Sequence, residues 1–112
     1  MALLQIKAVV LSQFPASTLT ASYQPINPSG LSNPCYLIRL VNDSNQSVLI
    51  SYDGTNDHEY MLAGTFYDIY GPTNAIQQSH GGQWPQGTIV YVKSGSSGTG
   101  VINLSAYYQR YS

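Results

Sequence analysis

The chain has 112 residues, a formal net charge of −1 and only 8% charged residues. That length predicts one domain, residues 1–112, around a single core. Its four cations, Lys7, Arg39, Lys93 and Arg110, are scattered, so the clustered positive charge that draws nucleic acid is missing. No stretch approaches the roughly 20 apolar residues that a membrane-spanning helix needs, and one cysteine, Cys35, excludes an internal disulfide or a Cys-based zinc site.

In residues 1–11, Leu4, Ile6, Ala8 and Val10 share one parity, which predicts a first strand. The segment lacks the positive start of a signal peptide, and Gln5 and Lys7 interrupt its apolar run, so export by that route is not expected. Phe14-Pro15-Ala16 reads as a break, and residues 18–23, rich in hydroxylated and β-branched side chains, as a second strand. Residues 24–34 hold Pro25, Pro28 and Pro34 and predict a long surface loop, of a length that is usually functional or mobile.

Residues 35–41 are apolar on both parities apart from Arg39, as in a central strand, with Cys35 a small buried hydrophobe at its start. Turn residues follow at 42–46, and residues 47–52 are expected to return as the hairpin partner. Asp53-Gly54 makes the next turn. Further strands are expected near 59–62, 65–70 and 74–78, with a loop over 80–87. Residues 88–93 and 101–108 read as the last two strands, flanking a flexible hairpin tip at 94–100, with Ile102, Leu104, Ala106 and Tyr108 as the inner parity. Ile38, Leu40, Ile50, Val90, Ile102 and Leu104 are the expected core. About eight short strands and no amphipathic helix predict an all-β fold, a single antiparallel β-sandwich or jelly roll.

Three motifs invite a chemical reading. Asp53, Asp57, His58 and Glu59 form the acidic cluster, and hard oxygens this close suit calcium. The glycine directly after the first aspartate is wrong for an EF-hand, so a solvated hairpin loop is the preferred reading. His80-Gly81-Gly82 resembles an esterase oxyanion loop, but no nucleophile elbow accompanies it: Gly95-Ser96-Ser97-Gly98 closes one residue early. Trp84 with Tyr60, Tyr67 and Tyr70 offers aromatic faces for a sugar, against the simpler reading of a tryptophan that plugs the end of the fold or anchors a protein contact. The ten tyrosines, set among Ser, Thr, Asn and Gln, give large contact area at low rotamer-entropy cost, so composition points to recognition before catalysis.

The opening Met1-Ala2-Leu3-Leu4-Gln5-Ile6-Lys7, the Pro/Asn-rich loop into Asn33-Pro34-Cys35, Val48-Leu49-Ile50-Ser51-Tyr52-Asp53-Gly54, Asp57-His58-Glu59-Tyr60-Met61-Leu62-Ala63-Gly64, Pro85-Gln86-Gly87-Thr88 and Gly98-Thr99-Gly100-Val101 together carry a resemblance across nearly the whole chain. It resembles the small β-sandwich head proteins of tailed bacteriophages, in particular the staple or decoration proteins of short-tailed phages of the epsilon-fifteen type. The resemblance implies a jelly-roll protein, assembled in the host cytoplasm, that binds the major capsid protein on the outside of an icosahedral shell. It implies no enzymatic activity; no cofactor, metal, nucleic acid or membrane is expected, and a homodimer or lattice self-contacts are. The alternative is a carbohydrate-binding β-module of a phage tail or baseplate. Contact with the shell is expected through Leu4 and Ile6 of the first strand, Pro25, Pro28 and Pro34 of the restricted loop, and the aromatic anchors Tyr23, Trp84 and Tyr107.

Overall fold

The computed structural model describes residues 4–70 and 84–111. Among them are nine strands: β1 (Leu4–Ala8), β2 (Ser12–Pro15), β3 (Gln24–Pro25), β4 (Leu37–Ser44), β5 (Val48–Ser51), β6 (Glu59–Met61), β7 (Phe66–Tyr70), β8 (Tyr91–Lys93) and β9 (Gly100–Tyr111). One short 3₁₀ turn, Ala16–Thr18, follows β2. The expected strand at 74–78 and the first half of the loop at 80–87, with His80-Gly81-Gly82, lie outside the described residues.

The strands form two antiparallel sheets, one ordered β1-β9-β4-β7 with β2 also on β9, the other β3-β8-β5-β6. The pairings are nested: β5 with β6, β4 with β7, β3 with β8, and β1 and β2 with β9. One hydrophobic cluster takes side chains from both sheets, and all six expected core residues are in it, none more than 2% exposed. Period-two alternation explains this: Ile38 and Leu40 of β4 stand opposite Ala106 and Leu104 of β9, so one parity of each long strand is inward. Cys35 is fully buried, as expected, and β4 lies centrally between β9 and β7.

Two expected hairpins are corrected. β4 and β5 lie in different sheets, as do β8 and β9, so residues 45–47 and 94–99 cross between layers. The turn-forming Asn42, Asp43 and Ser44 continue β4 because β9 runs beside them, from Ile102 to Gly100. The buried Asn42 then donates to the carbonyls of Gln46 and Leu62, at 2.8 and 3.2 Å, holding the crossing below it. Residues 94–99 are no free tip: Gly98 N donates to Ala16 O, Thr99 N to Asn45 Oδ1, and Ser94 N to Thr20 O.

The expected break at Phe14-Pro15 is the end of β2, an edge position where proline costs no ladder bond. The expected strand at 18–23 is replaced by the 3₁₀ turn, closed by Thr18 Oγ1 donating to Pro15 O, and by irregular chain. Residues 24–34 are less a surface loop than a stapled one. Ile26, Asn27 and Leu31 are buried. Ile26 N donates to Val90 O and Leu31 N to Thr88 O, while the Asn27 amide donates to Thr88 O and accepts from Val90 N. One asparagine side chain thus continues strand pairing where the backbone has turned away.

Candidate docking surface

β1 and β2 are one strand with a bulge. In β1, Ala8 stands opposite Tyr107; in β2, Ser12 stands opposite Leu104. Three residues, Val9, Val10 and Leu11, therefore face two, Ser105 and Ala106, and one residue is extra. Val9 N keeps a bond to Ala106 O, and Val9 packs against the core. Val10 is 89% exposed and is the residue the ladder leaves out. The extra residue reverses the alternation. Phe14 points inward and is buried, while Ile6, of the same sequence parity, is 65% exposed on the opposite face. The apolar parity of β1 is turned away from the core.

Across from the bulge lies the stapled loop. Val9, Val10, Ser12 and Leu104 on one side and residues 27–32 on the other line an open cleft of about 250 Å³. Gly30 fixes its wall: φ is +77°, and a Cβ there would come within 2.7 Å of Gly87 O, so only glycine fits.

The predicted contact residues divide accordingly. Ile6 is exposed, and Tyr107 is half-buried in register with Ala8 and Leu37. Leu4 opens β1 opposite Tyr111. Pro28 stands exposed in the cleft wall facing Val10. Pro25 ends the edge strand β3, opposite Tyr91, and Pro34 is exposed just before Cys35. Tyr23 does not line the cleft. Its hydroxyl donates to Asp57, its ring lies 4.5 Å beneath the Lys93 ammonium, and burial, then the Asp57 bond, pushes its pKa far up.

Trp84 is also occupied apart from the cleft. It exchanges two backbone bonds with Cys35, at 2.7 and 2.8 Å, donates Nε1 to Ile69 O, and packs on Tyr52 with ring centroids 4.8 Å apart. Tyr67 does reach Tyr60, donating its hydroxyl to the Tyr60 carbonyl at 2.8 Å. Beside them Leu62 and Phe66 are exposed, and Arg39 grips Asp68 with two bonds while lying 5.6 Å over the Phe66 ring.

The acidic cluster is engaged by its own turn and by the side chains around it. Asp53 accepts from Thr55 N, Asn56 N, the Asn56 amide and the Ser51 hydroxyl, and the Asn56 and Thr55 bonds hold its carboxyl well below the usual range. His58 Nδ1 accepts from Tyr52 N at 2.9 Å, and its ring stacks on Tyr52. Glu59 accepts from the Tyr52 hydroxyl. Asp57 accepts from Tyr23 and lies 3.3 Å from Lys93.

Sequence reasoning did not single out Val10, at 89% the most exposed of the large apolar side chains described, or its half-exposed neighbour Leu11. The signal was present: Val9-Val10-Leu11 puts apolar side chains on both parities at once, as a strand does where its alternation reverses. No protein-family model, curated protein or solved structure matches the chain.

Proposed function

We propose that this chain is a structural protein of a phage virion that decorates and staples the outside of an icosahedral capsid by binding its major capsid protein, without enzymatic activity. The observation that carries the reading is the reversed alternation of β1. A strand whose apolar side chains face away from its own core presents a surface that is stabilised by being covered. Ile6, Val10 and Leu11 expose that surface, with Tyr107 beside β1 as a rigid aromatic contact. Jelly-roll topology is part of the proposal. With β1 and β2 counted as one bulged strand, eight strands divide four and four, and the nested pairing is what a rolled double hairpin gives.

The test is addition of the purified chain to undecorated capsids, followed by cosedimentation and imaging. Stoichiometric extra density on the outer surface is expected. Retention should persist in about 1 M salt, where the Debye length is only about 3 Å and exposed ion pairs are screened. Failure to bind, or release by moderate salt alone, refutes the assignment. The carbohydrate alternative draws on the exposed Tyr60 and Phe66. It predicts saturable glycan binding lost in Tyr60→Ala, with capsid binding absent.

A further inference from the structure

We infer that the cleft between the β1–β2 bulge and residues 27–32 is a preformed socket for one apolar side chain on an uncharged, extended segment of the partner protein. The identity of that partner rests on the shell-binding reading; the socket itself does not.

Charge selects the occupant first. Residues 8–38, the whole stretch between Lys7 and Arg39, contain no charged side chain. All of the lining except Leu104 comes from this stretch. An ionised ligand would lose water there with no counter-charge to replace it, so phosphate, carboxylate and ammonium groups are disfavoured. The polar capacity is small. Both ends of the Asn27 amide are spent on Thr88 and Val90, and the Ser32 hydroxyl donates to Asn33 Oδ1, which leaves mainly the Ser12 and Ser29 hydroxyls. Among the described residues no aromatic ring lines the cleft, so they offer no stacking face for a sugar.

Size and shape complete the choice. About 250 Å³ is less than the roughly 300–1,000 Å³ of pockets that enclose a whole small ligand, but it admits a side chain. The floor is apolar, with Leu31 and Leu104 only 4% and 2% exposed. One wall is the bulge of an edge strand, where the register with β9 is interrupted. The other wall is held in place by Gly30, Pro28 and the Asn27 staple, so little ordering entropy is lost when the socket fills.

The experiment uses the full chain with isotope-labelled methyl groups and two capped pentapeptides, acetyl-Gly-Thr-Leu-Thr-Gly-amide and its counterpart with aspartate at the centre. The leucine peptide at millimolar concentration is expected to shift the Val9, Val10, Leu31 and Leu104 methyl signals, and the aspartate peptide to leave them in place. Ser29→Trp, at an exposed position in the wall, should abolish the shifts and weaken capsid binding at least tenfold. If that variant does not fold, Val10→Asp, at a position 89% exposed, makes the same test. Equal responses to the two peptides, no response, or a folded variant that still binds the leucine peptide would overturn the socket. Peptide-induced shifts in a chain that ignores capsids would overturn the proposed function and leave the socket standing.

Discussion

Deleting Val10 should leave the fold intact, although a deletion inside a strand normally destroys it. The register gives the reason. With Val10 removed, Ala8 still meets Tyr107 and Ser12 still meets Leu104, while Val9 and Leu11 fall opposite Ala106 and Ser105. No side chain changes face, and the lost side chain was 89% exposed. The expected change in stability is within about 1 kcal/mol, since no core contact is removed. Were there no bulge, the deletion would force β1 or β2 to slip by one residue. A slip of β2 carries Phe14, now 8% exposed, out of the core. That would cost about 3–5 kcal/mol, or roughly 12–20 °C in Tm for a domain this size.

Thermal and urea unfolding, followed by far-UV circular dichroism, separate the two outcomes. The control is deletion of Arg39 from β4, which pairs residue for residue with both β9 and β7 and has no spare residue to give up. That deletion should abolish the cooperative transition. A Val10 deletion that loses 3 kcal/mol or more refutes the bulge and, with it, the outward face of β1.

Leu104→Ala removes a 2%-exposed side chain from the centre of the core and should cost about 2–5 kcal/mol in urea unfolding. Gly30→Ala forces a β-carbon into Gly87 at φ +77° and should cost about 1–3 kcal/mol, with a disturbed Leu31 amide by NMR. Tyr52→Leu removes the ring against Trp84; about 1 kcal/mol should be lost and the fluorescence of this single tryptophan should change. Asp53 has a folded pKa below its unfolded value, so its contribution is present above the usual carboxylate range and disappears as pH falls through the folded pKa. Asp53→Asn should therefore show a flatter loss of Tm with acidification than the parent, and identical slopes would remove Asp53 from that account.

The core was legible because the long strands alternate faithfully: Ile38 and Leu40, Ile102 and Leu104 are inward on period two alone. Strand pairing was not, because alternation gives the inner face of a strand without naming the sheet that receives it. That is why the turn at 42–46 and the tip at 94–100 were read as hairpins when both connections cross between layers. Local propensity also lost where a neighbour supplied hydrogen bonds. Asn42, Asp43 and Ser44 read as turn chemistry, yet the β9 backbone holds them extended. The exposed apolar face of β1 was half legible. Ile6 and Pro28 are exposed, as a contact residue must be, but the extra residue at the bulge decides which way Ile6 faces, and it appears only when the β1 and β2 registers are compared on β9.

The placement of charge makes the neutral surface more than a deficit of ionisable residues. Asp68 is held by Arg39, Asp57 by Tyr23 and Lys93, and Asp53 by the backbone of its own turn. These groups sit on β4, β7, β8 and the 53–58 turn, where they serve local geometry. The bulged strand beyond Lys7, the stapled loop and the approach to β4 have none over residues 8–38. A surface kept wet by scattered ions resists being covered, because each ion must shed water or find a partner. A surface of Val10, Leu11, Pro28 and serine hydroxyls sheds weakly held water and loses little solvation when covered. The same 31 residues that give the fold its only bulge among the described strands of the β1–β9 ladder thus also give it the face on which burial costs least.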